Sequence, residues 1–111
     1  MNKTIAKSID IMYRIGQSQI HGRGVIATRP MQAHQPIDMA IEYQLGFLPF
    51  VTYHFGSYIN HSSTPNTYLR YVEQPAGYAV VTSKPIHQGE ELTINYDQCP
   101  WYVMGSLPWY K

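Results

Sequence analysis

Turn-forming residues divide this chain into short segments, and their spacing is the strongest constraint on its fold. The 111 residues include eight glycines and eight prolines. Turn signals fall roughly every eight to twelve residues, a spacing typical of all-β domains. Proline interrupts helices, and no segment between the breaks keeps a helical period for long. The spacing therefore predicts a mostly-β chain with many short strands and almost no helix.

Apolar residues alternate with polar ones in the segments between these turns, and this alternation predicts the strands. The expected strands are, in order, Asp10–Ile15, Val25–Ala27, Ile37–Ile41, Thr67–Val72, Tyr78–Ser83 and Leu92–Tyr96. The fourth and fifth are predicted to form a β-hairpin across a glycine-containing loop of about five residues, Glu73–Gly77. Tyr43–Tyr58 is aromatic and irregular, so at most a turn or two of helix is expected there.

Length and composition exclude several classes of protein. A chain of 111 residues suits one domain spanning residues 1–111. Its small core makes a second copy of the chain a candidate partner. Hydrophobic residues make up 44% and charged residues 14%, which is typical of a globular protein rather than a disordered one.

Charge and cysteine usage exclude further classes. The net charge is +1 and lysine and arginine form no cluster, so direct DNA or RNA binding is disfavoured. A single cysteine, Cys99, excludes an internal disulfide and a multi-cysteine zinc site. The histidines are not at ligand spacing, so no metal site is predicted. No apolar run is long enough to span a membrane, and Met1–Asp10 lacks the apolar core of a signal peptide. We therefore expect a soluble, intracellular protein.

Two polar motifs stand out from the strands. The first is Asn60-His61-Ser62 followed by Pro65-Asn66, which offers hydrogen-bonding side chains on a turn that proline and asparagine make rigid. The second is Gly89–Tyr96, with the sequence Gly-Glu-Glu-Leu-Thr-Ile-Asn-Tyr. Its two adjacent glutamates are expected to face opposite ways on a strand, so they are not predicted to act together on one substrate.

Together, in this order and at this spacing, the two motifs resemble the signature of the SET-domain family of protein lysine methyltransferases. Weaker matches flank them: a Gly-x-Gly at Gly22-Arg23-Gly24 and an aromatic ending at Leu107–Tyr110. The resemblance covers residues 18–110. It implies a mostly-β, β-clip-like fold of several small sheets, little helix and a C-terminal pseudoknot.

The resemblance also implies a function and the residues that perform it. The expected activity is methyl transfer from S-adenosylmethionine to the ε-amine of a lysine in a histone or another protein. Cofactor-binding residues would be Gly22, Arg23, Gly24, Asn60, His61, Tyr96 and Trp109. Tyr96 would line the methyl-transfer channel as a catalytic residue, with Tyr43 as a second channel residue. Tyr53 and Phe55 are alternatives to Tyr43, and Trp101 is an alternative to Trp109.

Two departures from the family pattern bear on the substrate side. The segment between Ile37 and Asn60 is shorter than the usual insert, which forms one wall of the peptide groove in the family. The pair Glu42-Tyr43 also lies a few residues later, counted from Gly24, than the corresponding pair in the family. Two other functions therefore stay open. One is a SET-like module that binds S-adenosylmethionine or a peptide with little turnover. The other is a small β-rich interaction domain whose ten tyrosines form a protein-binding face.

Overall fold

Short strands dominate the structure, a computed structural model that describes residues 12–98. These residues form eight strands and one short 3₁₀ helix, Tyr96–Gln98. The strands are β1 (Tyr13–Gln17), β2 (Arg23–Ala27), β3 (Pro36–Gln44), β4 (Leu48–Val51), β5 (Asn60–His61), β6 (Thr67–Glu73), β7 (Ala76–Thr82) and β8 (Glu91–Ile94). The predicted mostly-β class of several small sheets is confirmed. The predicted C-terminal pseudoknot involves residues beyond 98, which lie outside the described residues.

The strands form two four-stranded sheets, ordered β1-β2-β8-β5 and β4-β3-β7-β6. Pairing is antiparallel except between β5 and β8, which are parallel, with Asn60 opposite Thr93 and His61 opposite Ile94. Parallel partners need a long connection, and here the β6–β7 hairpin lies within it. This pairing places the two polar motifs of the sequence side by side.

The predicted hairpin is present, but its predicted five-residue loop is wrong. The ladder between β6 and β7 runs from Thr67 opposite Thr82 to Glu73 opposite Ala76, so only Gln74 and Pro75 connect the strands. Gly77 lies against the neighbouring strand β3, where an added Cβ would overlap the Ile41 carbonyl. The missing side chain lets β7 approach β3 closely, and the ladder therefore continues through the glycine that had been counted as loop.

Two strands were not predicted, namely β4 and the two-residue β5. Within the segment expected to be irregular, β3 continues to Gln44 and pairs with β4 through a tight turn at Leu45 and Gly46, both with positive φ. β4 is difficult to predict from the sequence because it is short and contains Pro49, and proline usually argues against a strand. The remainder of that segment, residues 53–58, forms turns and no helix.

Both sheets contribute to one core. The side chains that are almost fully buried come from strands of each sheet and from the segment between β4 and β5, namely Val25, Ile41, Phe55, Ile59, Val80, Leu92, Ile94 and Tyr96. Apolar burial on this scale is the main stabilising contribution to a small domain. It also fixes the sheets relative to the polar motifs at their junction.

Candidate functional site

A concave surface lies where the two polar motifs meet the turn that precedes β2. It encloses a cavity of about 180 Å³ lined by His21, Gly22, Arg23, Ser57, Tyr58 and Asn60. Three residues predicted to bind a cofactor, Gly22, Arg23 and Asn60, are therefore brought together. The other three lining residues were not predicted. Ser57 and Tyr58 lie shortly before the Asn-His-Ser motif, separated from it by Ile59, and that position was the one sequence signal that pointed to them.

Asn60 connects the elements that form this surface through hydrogen bonds. The residue is only 2% exposed. Its side-chain nitrogen lies 3.0 Å from the Ser18 hydroxyl, 3.1 Å from the His21 carbonyl, 3.2 Å from the Arg23 carbonyl and 3.0 Å from the Glu91 carboxylate. An amide nitrogen has two N–H groups, so these four acceptors share them. Asn60 thus fastens the Gly-x-Gly loop to β5 and β8.

A carboxylate, Glu91, completes this network and was not predicted as a site residue. The Ser18 hydroxyl lies 2.8 Å and 2.9 Å from its two oxygens. Ser18 also accepts the backbone N–H of Ile20 at 2.8 Å and of His21 at 3.1 Å, which shapes the turn before β2. Hydrogen bonds to an ionised group are stronger than those between neutral groups, so this network stiffens the loop.

The two glycines of the loop are required for different structural reasons. Gly22 has φ +48°, a left-handed conformation that L side chains rarely adopt. Gly24 is buried in β2, and an added Cβ there would overlap the Glu91 carboxylate. The missing side chain of Gly24 therefore makes room for a carboxylate of the protein itself.

Tyr96 is held against the segment that carries Asn60. Its backbone N–H donates to Nδ1 of His61 at 3.0 Å, and its hydroxyl donates to the Ile59 carbonyl at 2.7 Å. The rings of His61 and Tyr96 lie 5.3 Å apart. Tyr96 is only 2% exposed, so its hydroxyl lies in an apolar environment in which hydrogen bonds are strong.

The end of the first motif is attached to the second in a similar way. The Asn66 amide donates to the Glu91 carbonyl at 2.9 Å and to the Glu90 carboxylate at 3.1 Å, while its oxygen accepts the Thr93 N–H at 2.9 Å. Glu90 thus bonds to Asn66 and Glu91 bonds to Asn60. The two adjacent glutamates therefore contact different groups, although Glu90 lies before β8 rather than on it.

Comparison with known proteins matches this part of the chain. The family model of the SET domain matches residues 44–97, which include both polar motifs and Tyr96. The fold described above is also similar to that of two solved structures. Residues 44–97 are therefore similar to a SET domain.

A curated relative and two solved structures illustrate the likeness. The histone-lysine N-methyltransferase SET5 of Saccharomyces cerevisiae is 41% identical over 44 residues, which is 40% of this chain and 8% of that protein. A Plasmodium falciparum protein named as a candidate histone methyltransferase matches with a TM-score of 0.61 and 18% identity over 82% of this chain and 96% of its own. A humanized mutant of the Chaetomium thermophilum Polycomb Repressive Complex 2 matches with a TM-score of 0.62 and 20% identity over 79% of this chain and 15% of its own. At these identities the two structures show the fold alone.

The second channel residue expected from the SET family lies on the other sheet from Tyr96. Tyr43 is on β3, and its ring lies 6.4 Å from the rings of both Tyr71 and Tyr78. Of its alternatives, Tyr53 is 86% exposed, and Phe55 is buried against Tyr13 with ring centroids 4.9 Å apart. Trp109 and its alternative Trp101 lie outside the described residues. The structure thus groups Tyr96 with Asn60 and His61, and groups Tyr43 with other tyrosines.

Two further features are absent from residues 12–98. No group of three or more histidine, cysteine, aspartate or glutamate side chains within this range could hold a metal ion. No helix within it is long and apolar enough to cross a membrane.

Proposed function

We propose that this SET domain is a methyltransferase that uses S-adenosylmethionine to methylate the ε-amine of a lysine in a protein substrate, such as a histone. One observation carries the proposal. Tyr96 is fastened at its backbone and at its hydroxyl to His61 and Ile59, the two neighbours of Asn60, and Asn60 lines the cavity. A buried, oriented phenol attached to the segment that carries Asn60 is an arrangement suited to positioning an amine.

The cavity has suitable polar groups for S-adenosylmethionine, which supplies a methyl group on a positively charged sulfur when it is bound. Gly22, Arg23 and Asn60 would hold it, with contributions from the turn before β2. The enclosed volume of about 180 Å³ is below the roughly 300–1,000 Å³ of typical small-molecule pockets. A further wall is therefore required, and Trp109 is the residue that we propose for it.

The chain's own residues would act on the lysine amine. A free lysine has a pKa of about 10.4, so its amine carries a proton at neutral pH and has no lone pair for attack. An apolar channel that removes water favours the neutral form. The Tyr96 hydroxyl donates its proton to the Ile59 carbonyl, so towards the amine it would act as an acceptor of an N–H. Tyr43 is proposed as a second channel residue, from the opposite sheet.

Solvent can take the proton of the amine before attack, so this mechanism requires no general base in the site. Positioning and desolvation then supply the rate enhancement. The arrangement of Tyr96 agrees with this, because its hydroxyl proton is already donated to a backbone carbonyl.

A calorimetric titration with S-adenosylmethionine, followed by incubation with methyl-labelled S-adenosylmethionine and a mixed protein extract, tests the proposal. We expect saturable binding and transfer of label to lysine. Binding without transfer would instead indicate a SET-like binding module. Absence of binding would indicate an interaction domain and would contradict the proposed cofactor.

A further inference from the structure

A second cavity lies at the C-terminal end of β3, where this strand pairs with β4. It has a volume of about 250 Å³, and the residues that give it its chemistry are Glu42, Phe50, Tyr53 and His54. Glu42 and Phe50 are directly paired across β3 and β4, so their side chains share one face of the sheet. Tyr43, the next residue, points to the other face, where it contacts Tyr71 and Tyr78.

The Glu42 carboxylate lacks a partner within the part of the chain that the structure describes. The two ion pairs among residues 12–98 join His54 to Asp38 and His87 to Glu90, and no hydrogen bond there uses the Glu42 side chain. Glu42 is nevertheless half-buried. A cation that enters the cavity would find this carboxylate available as a counter-charge.

Aromatic rings stand beside this carboxylate and are open to solvent. Phe50 is 52% exposed and Tyr53 is 86% exposed. The adjoining hairpin tip also exposes Leu45, Phe47 and Leu48, so most of the exposed large apolar side chains among the described residues lie within residues 45–53. Concentrated apolar exposure of this kind marks a contact surface. A cavity that contains both a carboxylate and aromatic rings is an environment that attracts an ammonium or guanidinium group.

Within residues 12–98 the outer edge of β4 is unpaired, and it is poorly suited to adding another strand, so a partner would bind through side chains. The Thr52 N–H donates to the Ala40 carbonyl at 2.8 Å. Hydrogen-bonded and non-hydrogen-bonded pairs alternate along an antiparallel ladder, so the backbone of Pro49 and Val51 faces away from β3. Proline has no N–H, and Val51 is therefore the one donor that β4 offers at this edge.

We infer that the cavity formed by Glu42, Phe50, Tyr53 and His54 binds a lysine or arginine side chain of the protein substrate, at a position separate from the lysine that is methylated. The assignment of this cation to a substrate rests on the proposed function. The cation-binding chemistry does not, since it follows from Glu42 and the two rings. The site would make the enzyme selective for basic segments, with the hairpin tip contacting apolar residues beside the cation.

Fluorescence anisotropy with short labelled peptides tests this on the full chain without requiring methyl transfer. One series carries a target lysine and a single arginine at varied positions, and a matched series replaces that arginine by neutral citrulline. We expect the best arginine peptide to bind about three- to tenfold more tightly than its citrulline partner, the size of one exposed cation–aromatic and ion-pair contact. Glu42→Gln should abolish the difference, whereas Glu73→Gln, which removes an exposed charge at the end of β6, should leave it unchanged.

Other outcomes are equally decisive. Equal binding of arginine and citrulline peptides at every position, or an arginine preference that survives Glu42→Gln, would overturn the inference. Loss of peptide binding together with a dimer that Phe50→Ala converts to monomer would show that a second copy covers this face, which also overturns it. If the arginine preference depends on Glu42 but no methyl transfer occurs, the proposed function fails while the cation site stands.

Discussion

The backbone N–H of Tyr96 donates a hydrogen bond to Nδ1 of His61, 3.0 Å away. His61 lies on β5 and Tyr96 begins the 3₁₀ helix after β8, so one bond joins the ends of two parallel strands. Nδ1 can accept this bond only when it carries no proton, which fixes the tautomer of a neutral ring with its hydrogen on Nε2. His61 therefore acts as a positioning residue for Tyr96.

Removing this acceptor should displace Tyr96 while leaving the cavity residues in place. We expect His61→Ala to lower methyl transfer by about tenfold or more, since small errors in positioning are costly. It should also lower the free energy of unfolding by about 1–3 kcal/mol, because a half-buried N–H loses its partner. His61→Asn offers an oxygen near the position of Nδ1 and should restore part of the activity. Equal activity of the alanine and asparagine variants would show that the bond is not required.

Tyr96→Phe removes the hydroxyl and keeps the ring. The Ile59 carbonyl loses its donor, at a cost of about 1 kcal/mol in the free energy of unfolding. We expect methyl transfer to fall strongly, by about tenfold to a hundredfold, because the amine loses a positioning partner. S-adenosylmethionine binding, measured by calorimetry, should survive. Transfer by the variant at the wild-type rate would remove Tyr96 from the catalytic role.

The sequence predicted the broad fold because the turn spacing and the alternation in β2, β6 and β7 are local signals. Local signals fail where another strand determines the outcome. β4 contains proline and is only four residues long, and its pairing with β3 decides its conformation. The β6–β7 loop was predicted too long for the same reason, since contact with β3 keeps Gly77 in a strand.

The residues of the candidate site were likewise predicted only in part. Asn60, His61 and Tyr96 belong to recognisable motifs, and the structure brings them together. Ser18 and Glu91 are 73 positions apart and bond to each other only because β2 pairs with β8. No sequence pattern of this chain links them. The side-chain role of Asn60 was also beyond prediction, because its amide contacts the protein's own loop and strand.

The two glycines of the Gly-x-Gly loop should respond differently to alanine. Gly22→Ala meets no neighbouring atom but forces a left-handed conformation, at about 1–2 kcal/mol. Gly24→Ala forces a Cβ into the Glu91 carboxylate and should displace the Ser18–Glu91–Asn60 network. We expect Gly24→Ala to weaken S-adenosylmethionine binding by at least about tenfold and Gly22→Ala to weaken it less, as measured by calorimetry on variants confirmed to be folded. The reverse order would contradict a network role for Glu91.

Glu90 should contribute stability that is lost in acid. Partial burial alone would raise the pKa of Glu90, but hydrogen bonds from the His87 N–H and the Asn66 amide, with the nearby His87 ring, outweigh it and lower that pKa below its ordinary value. A carboxylate with a lowered pKa in the folded state stabilises the fold above the ordinary glutamate range, about pH 4.3, and loses that contribution as the pH falls through the lowered value. Glu90→Gln should therefore reduce the free energy of unfolding near neutral pH, and the difference from wild type should shrink towards pH 3. Urea unfolding at several pH values measures this, with exposed Glu73→Gln as the matched control. A difference that stays constant from neutral to acid pH would show that the charge of Glu90 is not the stabilising feature.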